Sequence, residues 1–333
     1  MLAMAGLCIT ALILVFFIRR LDWDEFSAAF FALRTPWLLA ACAAIVLTVA
    51  VRALRWQRLA GSHGGFKPFW DATVLGYVGN VIYPARAGEA LRVAAICRSA
   101  RLGLGHAVTS AFADRLADVF VLGAVALLVL GLEKLGPQDH RVFLAVLLLS
   151  TLPVLVFVAF LRWGAKLSSW LSSVAHRLPR ALAEPLPRWL AQAVDQTSIL
   201  RTPRVLGTVL GLTLVATFLD YLSIWFVMHA MSWSLPLLAA VLVGVLLAIG
   251  TLIPAAPGYV GIYQVACVLA LARYEISEAA ALAFSVVLQG VVLGAIILQA
   301  LGVFAHYGWR WREFQLAKNK IALANEFDDH VRR

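Results

Sequence analysis

The feature that most constrains this chain is a series of apolar blocks long enough to cross a lipid bilayer, at 1–18, 37–54, 107–131, 142–161, 205–231 and 279–306. A helix rising about 1.5 Å per residue needs roughly 20 such residues to cross a hydrocarbon core of about 30 Å. Only 14% of the 333 residues are charged and 62% are hydrophobic, with a mean hydropathy of +0.87. Soluble domains carry about 25% charged residues, so a cytosolic enzyme is excluded. The segment 1–18 has no basic stretch before it and no small-residue cleavage site after it, which predicts an uncleaved first span.

Two further apolar regions, 68–97 and 236–272, break in the middle around proline and glycine. The first carries Tyr83-Pro84-Ala85-Arg86-Ala87-Gly88-Glu89, the second Pro254-Ala255-Ala256-Pro257-Gly258-Tyr259-Val260-Gly261. Each is either a pair of short spans or a re-entrant hairpin, and either form enters and leaves on one side. The breaks share Pro-Ala-x-x-Gly, at Pro84 and at Pro254, 170 residues apart. The expected fold is therefore an all-α polytopic membrane protein: about six full spans plus two opposed broken or re-entrant helical hairpins, in the pattern of an inverted repeat.

Orientation follows from Lys and Arg. The connections 52–67, 98–106, 162–204 and 308–333 hold 19 of them, and 19–36, 132–141 and 273–278 hold six. Positive charge marks the cytoplasmic side, so both termini are expected in the cytoplasm. The net charge of +10 then faces anionic lipid, and a nucleic-acid partner is not expected. The expected domain is 1–307, a single transmembrane unit, followed by a cytoplasmic tail at 308–333. Within it, 162–204 reads as a cytoplasmic connector with an interfacial amphipathic helix, from Trp163, Leu167, Trp170, Leu171 and Val174 set against Lys166, Ser169, Ser172 and Ser173.

Ionisable residues in the hydrocarbon cost about 2.5–3.5 kcal/mol each, so those that remain call for a reason. Arg86, Glu89 and Arg92 surround the first break, where freed backbone amides and arginine forks make a competent phosphate site. The structural alternative is that Arg86 and Glu89 neutralise each other while Arg92 snorkels to the surface. Asp114, Arg115 and Asp118 lie in the 107–131 span, with Arg115 able to reach Asp118 at i,i+3. One carboxylate there is in excess over arginine, and the spare arginine of the first hairpin is its natural partner. Asp220 has no basic residue within four positions and is the cleanest proton-carrier candidate, with a neutral, hydrogen-bonded Asp as the alternative.

The second break has no charge; Tyr259, Tyr263 and Gln264 offer hydrogen bonds instead. Gly207-x-x-x-Gly211 and Gly290-x-x-x-Gly294 read as helix-packing pairs. The four cysteines have no CxxC spacing and the seven histidines sit at span ends or in loops, so no metal is expected. No nucleophile elbow, HExxH or P-loop is present, and neither a catalytic residue nor a cofactor is expected.

Arg52-Ala53-Leu54-Arg55-Trp56, then Gly79-Asn80, then Pro84-Ala85-Arg86-Ala87-Gly88-Glu89-x-x-Arg92, then Asp114-Arg115-x-x-Asp118 and Pro254-x-x-Pro257-Gly258-x-x-Gly261 form an ordered set over 45–305. The set resembles the membrane domain of the lysyl-phosphatidylglycerol synthase/flippase family, which includes the transmembrane half of multiple peptide resistance factors and stand-alone bacterial and archaeal proteins. The resemblance implies a lipid-translocating fold with opposed re-entrant helices in a bacterial inner membrane, and maps onto Arg86, Glu89, Arg92, Asp114, Arg115 and Asp118. The soluble aminoacyl-transferase domain is missing from this sequence, so synthase activity is not expected.

Substrate-binding candidates are thus Arg86, Glu89, Arg92, Asn80, Tyr259 and Gln264, with Asp114, Arg115, Asp118 and Asp220 as a proton or charge network. The expected function is a lipid or lipid-linked-intermediate flippase with a membrane phospholipid as substrate, as a homo-oligomer or with a partner membrane enzyme. The alternative is a lipid-binding scaffold that transports nothing.

Overall fold

The computed structural model describes residues 33–61, 65–83, 87–132, 139–174, 191–195, 202–251 and 257–307, with Ser27 and Pro187. The expected first span at 1–18, the tail at 308–333, Arg86 and the prolines Pro84 and Pro254 lie outside them. Among the described residues the chain is helical and has no strand, and the protein is an all-α membrane protein.

Two long helices pack antiparallel at the centre: α1, Thr35–Leu59, and the helix Pro203–Ala230. The amide of Arg34, just before α1, donates to the carbonyl of Ala230 at 2.8 Å, which ties the start of one helix to the end of the other. Pro36 in the first turn of α1 supplies a preset φ where no backbone donor is needed. The buried face of α1 runs Ala41, Ala44, Ile45, Thr48, Val49, Arg55, Trp56 and Leu59, the three-to-four spacing of one helical stripe. Two arginines, Arg52 and Arg55, therefore sit one to two turns inside the helix rather than in the loop where they were counted. Moving both leaves the charge asymmetry between the two sides in the same direction.

After α1 come α2, Phe66–Ile82, α3, Gly88–Ser99, and α4, Leu104–Leu132. A second series follows the same order: α6, Pro203–Ala230; α7, Leu237–Gly250; α8, Ile262–Leu271; and α9, Glu278–Tyr307. Between the two series lies α5, Asp139–Val174. The helices start at 35, 66, 88 and 104 in one half and at 203, 237, 262 and 278 in the other, each half a long helix, a broken hairpin and a long helix.

The hairpins open at opposite ends of the molecule. The mouth of α2 and α3 packs with the C-terminal end of α1, in a core of Trp56, Ala60, Phe69, Ile96, Leu102 and Ala107. The mouth of α7 and α8 packs with its N-terminal end, where Leu33 and Leu38 meet Met231, Trp233 and Leu271. Hairpin arms of 12 and 17 residues in one half and 14 and 10 in the other are about 15–26 Å long, too short to cross about 30 Å. The two halves meet where α2 touches the one-turn 3₁₀ segment Pro257–Tyr259 that precedes α8.

Glycine makes the first hairpin close. A Cβ on Gly88 would collide with the carbonyl oxygen of Gly76 and with Asn80, and one on Gly79 would lie 2.6 Å from the Gly88 Cα. In the second break, Gly258 (φ 72°) and Gly261 (φ 90°) hold left-handed backbone that other residues rarely adopt. The expected packing role of Gly207, Gly211, Gly290 and Gly294 is not met among the described residues: a Cβ on any of them meets nothing within 4 Å.

A second difference concerns the connector. The amphipathic stretch after 162 continues helix α5 without a break to Val174, with Trp163, Leu167 and Trp170 exposed. Further on, the short helical piece at 191–195 caps the start of α4, where Gln192 Oε1 accepts from the Gly105 amide at 3.0 Å.

Candidate functional site

Three elements bring their charged residues to one place. On α1, Arg52 and Arg55 are three apart and share a face; α3 supplies Glu89 and Arg92 at the same spacing, and α4 supplies Asp114, Arg115 and Asp118. Arg55 donates from Nε to Asp114 Oδ1 at 2.8 Å, and from Nη1 to Asp118 Oδ1 at 2.6 Å and to Thr213 Oγ1 at 3.0 Å. Arg92 Nη2 donates to the other Asp114 oxygen at 2.8 Å, and its Nη1 lies 3.5 Å from Glu89 Oε2. Arg115 then joins Glu89 Oε1 at 2.8 Å and Asp118 Oδ2 at 3.2 Å.

Followed in order, Glu89, Arg92, Asp114, Arg55, Asp118 and Arg115 form a closed ring of alternating charge. Ions in a low-dielectric interior persist only when paired and hydrogen-bonded. The ring meets that demand by giving each carboxylate two guanidinium neighbours. Half of it is sealed, with side-chain exposure of 0% at Arg55 and 2% at Arg92 and Asp114. Trp56 closes that side: its ring lies 4.1 Å beneath the Arg92 guanidinium, and its Nε1 donates to Ser110 Oγ at 3.0 Å.

The other half of the ring, Asp118, Arg115 and Glu89, faces a cavity of about 430 Å³. A separate ion pair stands on the same wall: Arg52 Nη2 donates to Asp220 Oδ2 at 2.6 Å, while its Nη1 donates to the Tyr77 hydroxyl at 2.6 Å. Asn80 at the end of α2, Gly258 and Tyr259 of the second break and Tyr263 in the first turn of α8 complete the polar wall, and Ile45, Val81, Leu122, Ile224, Leu247 and Ile296 line the rest. The described ends of both hairpins thus face one cavity, a charged patch set in a mostly apolar wall.

The sequence candidates fall into distinct places. Glu89, Asn80, Tyr259, Arg115, Asp118 and Asp220 line the cavity, whereas Arg92, Asp114 and Gln264 do not. Arg92 does not snorkel to the surface, because Asp114 and Trp56 hold it inside. It is the spare hairpin arginine that the excess carboxylate required. Gln264 serves the second break: its Oε1 accepts from the Gly261 amide at 2.7 Å and its Nε2 donates to Gln289 at 3.3 Å, while Gln289 Nε2 donates to the Gly258 carbonyl at 2.7 Å.

Arg52, Arg55, Tyr77 and Gln289 were not among the predicted site residues. The expected span ends at 54, and the charge count assigns both arginines to the connection 52–67, so neither stands out as a charge inside a helix. The signal that could have found them is their i,i+3 spacing in register with the stripe through Ala41, Ile45 and Thr48.

Curated proteins and solved structures returned no match to this chain. A family model described as the lysylphosphatidylglycerol synthase TM region matches residues 3–313, a span that holds every charged group of the ring and the cavity. The chain therefore belongs to the lysylphosphatidylglycerol synthase TM region family.

Proposed function

We propose that this protein moves a phospholipid or a lipid-linked intermediate between the leaflets of a bacterial inner membrane, acting as a transporter and not as an enzyme. The observation that carries this reading is the convergence of two oppositely opening hairpins on one cavity of about 430 Å³. Broken helices from opposed halves meeting at one site are the architecture of alternating-access carriers. The cavity is within the usual size of a small-ligand site, about 300–1,000 Å³. Its polar wall suits a headgroup and its apolar wall suits the first carbons of acyl chains.

In this reading both hairpins are re-entrant, and each opens the cavity to its own leaflet in turn. Arg52 and Arg115, whose guanidiniums reach the cavity wall, hold the headgroup phosphate; Arg86 joins them by its place in sequence between Asn80 and Glu89. Glu89, Asn80 and Tyr259 contact the rest of the headgroup. Arg92, Asp114 and Arg55 position the wall from behind. The Lys and Arg asymmetry supports cytoplasmic termini, so the first hairpin opens inward and the second outward.

The test is lipid movement in vesicles. Reconstituted protein should transfer labelled phospholipid between leaflets faster than protein-free vesicles and faster than an Arg115→Ala variant, for at least one headgroup of a panel. Equal rates across the panel would sink the proposal.

A further inference from the structure

Asp220 differs from every other carboxylate around the cavity. Among the described residues Asp114, Asp118 and Glu89 each form ion pairs with two guanidiniums, whereas Asp220 forms one, with Arg52. Its side chain is also the most open of the four, at 37%, against 2% for Asp114. Arg52 is held independently by the Tyr77 hydroxyl, and its buried Nε has no acceptor. The arginine therefore stays in place if Asp220 lets go, and it has donor capacity for a larger oxyanion. In the ring beside it each carboxylate keeps a second guanidinium when one is drawn to a phosphate, so none is left without a counter-ion.

We propose that the Arg52–Asp220 pair is an exchange point, at which the phosphate of an entering lipid headgroup takes Asp220's place on Arg52 and the freed carboxylate takes up a proton. This rests on the lipid-transport reading above and adds its coupling ion. The phosphate oxygens accept the Arg52 N–H groups, the Asp220 oxygen gains an O–H bond, and the proton comes from the water on whichever side the cavity is open.

The groups facing Asp220 make protonation the consistent response. They are Arg52 and Arg55 of α1, with the Thr48 hydroxyl as a hydrogen-bond partner, Asp118 of α4, Tyr221 beside it on α6 and Tyr263 of α8, with Tyr77 of α2 sharing Arg52. Arg55 is committed to Asp114 and Asp118, so among the described residues no free cation replaces Arg52. Asp118 repels a second negative charge, and Ile224 and Leu247 form the neighbouring wall. A carboxylate without a counter-ion in such a setting is more stable as the neutral acid. One headgroup anion then enters with one proton, and the cavity charge is unchanged on loading.

The experiment measures proton uptake on binding. Purified protein in weakly buffered detergent near neutral pH is titrated with dihexanoyl phosphatidylglycerol, with a pH-indicator dye as readout and inorganic phosphate as a parallel titrant. The expected result is one proton taken up per lipid bound by the wild type, little response to inorganic phosphate, and an Asp220→Asn variant that binds the lipid without proton uptake. Lipid binding by the wild type without uptake, or uptake unchanged in the variant, overturns the exchange while leaving lipid transport standing. Loss of lipid binding in a folded Asp220→Asn protein also overturns it, by making Asp220 a ligand. Uptake driven by inorganic phosphate alone overturns the lipid source. A wild type that neither binds nor moves lipid overturns the transport reading itself.

Discussion

Arg55 and Asp114 meet at 2.8 Å with side chains 0% and 2% exposed, a fully desolvated pair joining α1 to α4 behind the cavity wall. Removing one partner of such a pair leaves an uncompensated buried charge and costs about 3–5 kcal/mol. Arg55→Met should therefore lower the thermal unfolding midpoint of the detergent-solubilised protein sharply. Arg55→Met combined with Asp114→Asn should lose less than the sum of the two single variants, because both ends of the pair are then neutral. Additive losses would show that the two residues act independently.

The first hairpin closes on glycine, and its tolerance for a methyl group differs from that of the outward glycines. Gly88→Ala forces a Cβ against the Gly76 carbonyl and Asn80, a clash expected to cost about 1–3 kcal/mol. Gly290→Ala and Gly294→Ala meet nothing within 4 Å and should be neutral or stabilising by about 0.5–1 kcal/mol through helix propensity. Unfolding midpoints measured side by side decide this, and an equal loss at Gly88 and Gly290 would contradict the hairpin contact.

The cavity should be open to water and close on lipid. Asn80→Cys and Tyr259→Cys place thiols on its wall from the two hairpin tips. Both should react with a water-soluble maleimide and be protected by added phospholipid, while native Cys267, fully buried, stays unlabelled. Labelling of Cys267 at a comparable rate would show that reactivity does not report the cavity.

Gln289 clamps the second break by donating to the Gly258 carbonyl at 2.7 Å. Gln289→Leu leaves that carbonyl and the Gln264 amide short of a partner, at about 1–3 kcal/mol for a buried unsatisfied group. The expected signature is local: faster amide hydrogen exchange over 257–264, with α1 and α6 unchanged. Uniform acceleration across the helices would mean that Gln289 supports the whole bundle.

Much of this architecture was legible in the residues. Apolar runs such as 205–231 and 279–306 predict helices close to the observed Pro203–Ala230 and Glu278–Tyr307, because a run of that length has one way to satisfy its backbone in lipid. The breaks were visible because proline and glycine cannot continue a helix, and Asp114, Arg115 and Asp118 stood out because a charge in an apolar run is costly. Arg52 and Arg55 escaped because they lie at a helix end, where arginine is ordinary. Asp220 was visible, yet seemed to lack a cation, because its partner lies 168 residues away in sequence.

By itself, then, the sequence determined a helical membrane protein with two broken hairpins and a few costly internal charges, since length, hydropathy and backbone chemistry are local properties. Which charges pair was decided only by the tertiary structure. The antiparallel packing of α1 on α6 puts Arg52 beside Asp220, and the docking of α3 on α4 closes the ring through Glu89 and Arg115. Ion pairing falls off within a few ångströms, and that proximity between distant segments exists only once the helices are packed.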